Sequence, residues 1–446
     1  MQPVGATPLP EPAVSEEELR EAWPALSTQE RAEGLRLLPR DVAEDLFFAL
    51  TARDQAQLLR ALPAAEQRSW MRALAPDDAA DLAQEVRAPA EREQLLALLD
   101  APTLKEVQAL MAYREDHAGG LMSPRFARLR PDTTVDQAVT YLRQQTRASV
   151  EMPYYAYVLD GQQHLLGVVS FRELLAARGD RQVSEVMHTE VRSVDENADQ
   201  EAVARFVRQT GLMAVPVLDG EKRMRGIVTV DDIVDVVNEA ATEDMQKMGG
   251  SESLGEPYLS IALQRMIKKR AGWLAALFLG EMLTATAMGV FEKEIEKAVV
   301  LALFVPLIIS SGGNSGSQAT TLVIRAMALG ELRLRDWFRV IRRELLAGLA
   351  LGSILGTIGL VRILLWQVAF HTYGTHYMLV GMTVSLSLIG VVTFGTFAGS
   401  LLPFILRRLG FDPASASAPF VATLVDVTGL IIYFTTASLI MRGTLL

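Results

Sequence analysis

Asp426 lies inside the apolar run Pro419-Phe-Val-Ala-Thr-Leu-Val-Asp-Val-Thr-Gly-Leu-Ile-Ile-Tyr-Phe434. The run continues almost to the last residue and is long enough to cross a bilayer. A carboxylate at that depth costs several kcal/mol, so it faces a pore, a cavity or a partner helix. No Lys or Arg stands between Arg408 and Arg442 to neutralise it. Two chemistries fit: a cation ligand in a permeation path, or a protonated acid hydrogen-bonded between helices. Glu281, in Gly280-Glu-Met-Leu-Thr-Ala-Thr286, is a second acid in an apolar segment. It reads as an interhelical hydrogen-bonding group or as a second cation site.

Composition narrows the ligand chemistry. The 446 residues include no cysteine, which excludes disulfides, thiolate metal sites and cysteine nucleophiles. Five histidines without HxH or HxxxH spacing do not suggest zinc or iron. A metal here would be a hard cation held by oxygen. The net charge of -10 is uneven: residues 1–270 hold 31 basic and 44 acidic residues, and residues 271–446 hold 12 and 9. An acidic first half repels nucleic acid and attracts cations.

Five apolar stretches, at about 271–291, 297–328, 344–370, 377–406 and 415–441, each supply the length a bilayer core requires. Lys268–Arg270, the arginines at 333, 335, 339, 342 and 343, and Arg407–Arg408 mark cytoplasmic loops. The expectation is a multi-pass protein of the cell (inner) membrane, with cytoplasmic N-terminal domains and the C-terminus outside. Within the second stretch, residues 310–318 are small and polar and follow Pro306. They read as an interruption that lines the pore, or as small-residue helix packing.

Residues 1–15 read as disordered. In the region up to 120, Leu38, Leu50, Leu62 and Leu74 recur every twelve residues, with Pro or Thr opening the next unit. Stacked short helices of this kind give a superhelical module. Residues 121–245 hold a duplicated α+β pattern, with helices at 134–145 and 200–210. Strands are expected at 155–159 and 166–169, then at 214–218 and 225–230. Each copy closes on Gly-Val-Val-Ser-Phe-Arg-Glu173 or Gly-Ile-Val-Thr-Val-Asp-Asp232. The duplicated signature resembles a tandem cystathionine-β-synthase (CBS) pair. In nucleotide-binding members of that family the closing acid holds the ribose, a role that falls on Asp232 and on the longer Glu173. A purely structural dimerisation module is the alternative. Residues 231–270 read as one long helix or two in series, hinged at Gly249–Gly250 and acidic on one face.

The fold expected is therefore multidomain. An all-α superhelical N domain (1–120) precedes an α+β tandem CBS pair (121–245). A long connecting, or plug, helix (246–270) leads to an all-α bundle of five transmembrane helices (271–446).

The motifs Gly119-Gly-Leu-Met-Ser-Pro124, Val230-Asp-Asp-Ile-Val-Asp235, Ala241-Thr-Glu-Asp244, Ser311-Gly-Gly-Asn-Ser-Gly-Ser-Gln318 and Pro419–Gly429, in this order, resemble the MgtE family of magnesium channels. The resemblance implies Mg²⁺ uptake through a homodimer in membrane lipid, with a pore between subunits lined by the second and fifth spans. It implies hydrated Mg²⁺ at Asp426 with the Ala422 carbonyl nearby. Regulatory Mg²⁺ would sit on Asp45, Asp77, Asp81, Asp199, Glu201, Asp232, Asp235, Glu243, Asp244 and Asp412. It also implies ATP as a ligand of the CBS pair. Gly211 and Ala240 stand where the family pattern has sensor acids, and Ala418 where it has a polar residue before the Pro. One or two regulatory ions absent or weaker, and one polar pore contact less, follow.

Rival functions are weaker. An ion-coupled transporter using Asp426 and Glu281 would favour two matching halves, which five spans do not give. A membrane-anchored nucleotide sensor leaves the intramembrane acids unexplained. No GxGxxG-helix, P-loop or nucleophile–base set argues for an enzyme.

Overall fold

A computed structural model describes residues 15–145, 154–256, 258–259, 261–442 and 444. The segment 1–14, expected to be disordered, lies outside the described residues. The chain divides into two compact units, residues 1–238 and 239–446.

The first unit opens with eight short helices: α1 (Glu16–Ala22), α2 (Thr28–Leu37), α3 (Arg40–Phe48), α4 (Ala52–Ala61), α5 (Ala64–Ala73), α6 (Pro76–Glu85), α7 (Pro89–Leu96) and α8 (Ala101–Leu110). Their starts follow from local chemistry. Ser15 and Ser27 form capping boxes with Glu18 and Glu30. The Thr51 hydroxyl accepts from the Asp54 N–H at 3.2 Å. Pro39 and Pro63 take the equivalent cap positions, where no N–H is needed. Leu38, Leu62 and Leu74 are the C-terminal caps of α2, α4 and α5, and all three are buried. The twelve-residue repeat is thus one helix plus its link. Each buried leucine contributes about 2 kcal/mol of apolar burial.

The second part of this unit contains α9 (Ala118–Leu121), β1 (Arg128–Leu129), α10 (Val135–Gln145), β2 (Tyr155–Leu159), β3 (Leu165–Ser170) and α11 (Phe171–Ala176). It repeats the pattern with β4 (Val194–Asp195), α12 (Gln200–Thr210), β5 (Ala214–Leu218), β6 (Met224–Thr229) and the start of α13 (Val230–Met248). Two three-stranded sheets result, β1-β2-β3 and β4-β5-β6, each with one parallel and one antiparallel pairing. Val158 pairs with Gly167 in the first sheet and Val217 with Gly226 in the second. The same irregularity follows each pair. The duplication read from the sequence is therefore structural down to the register. Phe126, Tyr157 and Leu159 pack with Ala214, Met224 and Ile227 in one cluster that joins the two repeats.

The second unit holds the end of α13 and five helices long and apolar enough to cross a membrane. The connecting helix does not occupy 246–270. It is α13, which ends at Met248, and from Gly249 to Ala262 the described residues are not helical. Gly250, at φ +76°, turns the chain in a conformation that glycine adopts without steric cost. The membrane helices are α14 (Leu263–Val290), α16 (Val305–Ala328), α17 (Trp337–Phe370), α18 (Tyr377–Arg408) and α19 (Ala418–Met441), with the short α15 (Glu292–Lys297) after α14.

The expected interruption at 310–318 is absent: α16 is one continuous helix. Pro306 sits in its first turn, where a missing N–H removes no helical bond. Gly312, Gly313 and Gly316 are buried, and at 312 and 316 the side chains and backbone of α18 and α19 leave no room for a Cβ. A Cβ on Gly316 would lie 2.8 Å from Val421 Cγ1 and 3.0 Å from the Gly395 carbonyl oxygen. Close packing of small residues holds membrane helices together where lipid removes the hydrophobic driving force. Thr320 Oγ1 adds a bond across that seam, donating to the Gly399 carbonyl at 2.9 Å.

Candidate functional site

Asp426 is half-buried on α19, one turn beyond Ala422 and two beyond Ala418. Residues four apart share a helix face, and this face meets the glycine surface of α16. A Cβ on Gly313 would stand 3.4 Å from Ala422 Cβ and 3.9 Å from Asp426 Oδ1. Ser317 Oγ donates to the Ala418 carbonyl at 3.2 Å. Glycine at 313 therefore leaves room beside the carboxylate. On the other side, Gly280 of α14 approaches Thr423 of α19. Glu281 is close enough for its charge to act on Asp426. Glu281 makes no hydrogen bond or ion pair with the described residues, so the interhelical bond weighed from the sequence is not formed within one chain.

Lys247, near the end of α13, clasps two of the expected regulatory acids. Its ammonium lies 2.5 Å from Glu243 Oε1 and 2.6 Å from Asp412 Oδ2. Partial desolvation lowers the Lys247 pKa, but its hydrogen bonds to Asp412 and Glu243 outweigh that, and the net shift is upward. Asp412 also accepts from the Ala414 N–H at 2.9 Å and so starts the turn before α19. Asp244 follows Glu243 on α13.

A denser acidic group lies within the first unit. Asp78 and Asp81 of α6 face the start of α13. Desolvation, then the charges of Asp231 and Asp235, push Asp78 up to about 6. Desolvation, then Asp78, Asp232, Glu115 and Glu85, push Asp81 up to about 7. Both residues are exposed at the surface of this chain, so solvent screening weakens the burial contribution and the upward direction rests on like charges facing one another. Among the described residues, no group of three or more His, Asp or Glu side chains stands in metal-holding geometry.

The structure does not gather all the expected regulatory acids at this face. Asp77 is buried, at 6% exposure, while its neighbour Asp78 takes the outward position. Asp45 is exposed on α3. Asp199 caps α12, accepting from the Glu201 N–H at 3.0 Å and the Ala202 N–H at 3.2 Å. Glu201 pairs with Arg205 at 3.3 Å. Asp78, Asp231 and Lys247 were not singled out from the sequence. Asp78 and Asp81 are three apart and Glu243 and Lys247 four apart, which are same-face spacings.

The two CBS acids hold matching places. Glu173 accepts from the Ser170 N–H at 2.9 Å and Ser170 Oγ at 2.8 Å. Asp232 accepts from the Thr229 N–H at 3.2 Å and Thr229 Oγ1 at 2.7 Å. Glu173 also meets His188 Nε2 at 2.6 Å. Desolvation raises the Glu173 pKa, but the bonds from His188 and Ser170 prevail and hold it low.

These features define a multi-pass membrane protein that carries a CBS pair and an acidic helical domain. The divalent cation transporter model of MgtE matches residues 305–436, the MgtE intracellular N domain model matches 14–116, and the CBS domain model matches 118–180 and 183–239. The magnesium transporter MgtE of Thermus thermophilus is 40% identical over 79% of this chain and 76% of its own length. That of Enterococcus faecalis is 34% identical over 76% of this chain and 72% of its own. The crystal structure of the cytosolic domain of the Mg²⁺ channel MgtE in complex with ATP is similar at 38% identity. It covers 50% of this chain and 91% of that one, at a TM-score of 0.47. The chain belongs to the MgtE family of magnesium transporters.

Proposed function

We propose that this protein is a Mg²⁺-selective channel for magnesium uptake, in which two copies of Asp426 attract the hydrated ion across the twofold axis of a homodimer. The observation that carries this reading is the half-buried Asp426 and Ala422 face of α19 against the glycines of α16. Mg²⁺ gives up water reluctantly and is held by few carboxylates. Sparse ligation lets the ion leave as well as enter. The orientation follows the arginine-rich loops, with the N-terminal domains in the cytoplasm and the C-terminus outside.

Control by intracellular Mg²⁺ is assigned to Asp78, Asp81, Asp231, Asp232 and Asp235. Opposed carboxylates repel when no cation lies between them. Mg²⁺ bound there favours the arrangement in which α6 meets α13 and shifts the population toward it. The helix α13 carries these acids at its start and Lys247, paired with Asp412, near its end. It is the element that can pass the change to the loop before α19. An adenine nucleotide such as ATP is assigned to the CBS pair, with Asp232 at the ribose and Glu173 at the matching place. To bind it, Asp232 must share or release its Thr229 bonds.

The test is Mg²⁺ flux into liposomes beside Asp426→Ala, with no proton or Na⁺ gradient. Passive flux that the substitution abolishes is the expected result. Flux that needs a gradient would replace the channel by an ion-coupled transporter using Asp426 and Glu281.

A further inference from the structure

The arginines of the first unit mostly have acid partners. Arg20 meets Glu16, Arg31 meets Asp54, Arg60 meets Glu91 and Arg125 meets Glu106, all within 3.3 Å. At one end of the α17–α18 hairpin the pattern reverses. Among the described residues, Arg335, Arg342, Arg407 and Arg408 have no acidic partner within 4.0 Å. Arg339 has only Asp336, at 3.7 Å, and its side chain is 87% exposed.

These arginines share one end of the membrane bundle. The two helices run antiparallel, with Gly356 against Ser385, Gly352 against Ile389 and Gly348 against Thr393. Continuing that register by the same four-residue steps brings the start of α17 beside the last turns of α18. Val340 and Leu332 do pack with Phe404 there. Trp337 and Phe338 stand among the arginines and are 48% and 65% exposed. Their rings are edge to face, with centroids 5.8 Å apart.

We propose that this patch binds the phosphate of anionic phospholipid headgroups. Guanidinium groups bind phosphate through paired N–H donors. Exposed aromatic rings at a helix end belong at the boundary between hydrocarbon and headgroups. Free phosphate would satisfy the arginines but gives the two rings nothing to bury against. An acidic protein face would need an apolar strip set beside its carboxylates to do the same. A lipid satisfies both groups at once.

The full-length protein in nanodiscs of equal phosphatidylcholine and phosphatidylglycerol, released and weighed by native mass spectrometry, tests this. The wild type should retain phosphatidylglycerol over phosphatidylcholine by at least about five-fold, the effect of one juxtamembrane arginine. Arg335→Gln, Arg339→Gln, Arg342→Gln and Arg407→Gln together should bring the ratio near one. The four Lys replacements should keep much of the preference, which separates charge from misfolding. If the fourfold Gln variant does not insert, Arg339→Gln with Arg342→Gln gives the same readout at smaller size. Equal retention of both lipids by the wild type, or an unchanged ratio in the Gln variants, would overturn the proposal. Stripping of the lipid preference by excess inorganic phosphate would reassign the site to the free ion. A cysteine probe at Trp337→Cys, clean in a chain without cysteine, that cross-links to the acidic N domain while no lipid preference is found would reassign it to a protein face.

Discussion

Two acidic regions of this molecule solve like-charge repulsion differently. At the meeting of α6 with the start of α13, Asp78 and Asp81 face Asp231, Asp232 and Asp235, and desolvation, then repulsion from these acids, raises the pKa values of the first two. At the far end of α13, Glu243 and Asp412 are joined by Lys247. On the proposed reading, the first region takes its cation from solution. The second carries one on its own chain. If Mg²⁺ acts as proposed, its largest leverage is on the first region, since at the second it must displace an ammonium already in place.

The largest effect should come from replacing Asp78, Asp81, Asp231 and Asp235 together by Asn. At Mg²⁺ a hundred-fold above its dissociation constant, one bound ion stabilises the folded protein by about 2.7 kcal/mol. The variant should lose that Mg²⁺-dependent rise in melting temperature, and flux should persist at high internal Mg²⁺. A full Mg²⁺ response in the variant would remove the regulatory role from this face. Lys247→Met should act the other way, by making the second region resemble the first. Loss of a half-exposed ion pair costs about 1 kcal/mol, and Mg²⁺ should now restore part of the lost stability. Melting curves with and without chelator read this, and an unaltered Mg²⁺ response would end the comparison.

A smaller effect follows from pH. The carboxyls of Asp78 and Asp81 are raised from 3.8 to about 6 and about 7. A raised acid binds its proton more tightly in the folded arrangement, so stability without Mg²⁺ should grow as pH falls from about 7 toward 4. It should be lost again as pH rises through the folded values. Mg²⁺ competes with those protons, so the pH dependence should flatten at saturating Mg²⁺. Thermal melts at several pH values in chelator and in Mg²⁺ check both statements.

Much of the fold was legible because local chemistry sets it. The twelve-residue leucine spacing is one capped helix plus its link, and the duplicated strands recur with matching register. Strands 155–159 and 214–218 are found as read, because a short apolar run bounded by turns marks a strand buried on both faces. Of the two readings of 310–318, the structure takes small-residue packing within one continuous helix and not the interruption. Glycine and serine lower helix propensity in water, but close packing against α18 and α19 reverses that judgement. Residues 231–270, read as one long helix or two in series, do break at the Gly249–Gly250 hinge, but the second helix starts only at Leu263, so no single plug helix fills 246–270.

By itself the sequence determined the domain order, the five apolar spans, the charge asymmetry and the presence of an acid at membrane depth. These follow from composition and periodicity, which act over a few neighbours along the chain. Only the tertiary structure decided which acids meet. Asp77 turned inward and Asp78 outward, Asp199 became a helix cap, and Lys247 reached Asp412 from 165 residues away. Such pairings depend on how distant faces dock, and side-chain charge alone does not specify that.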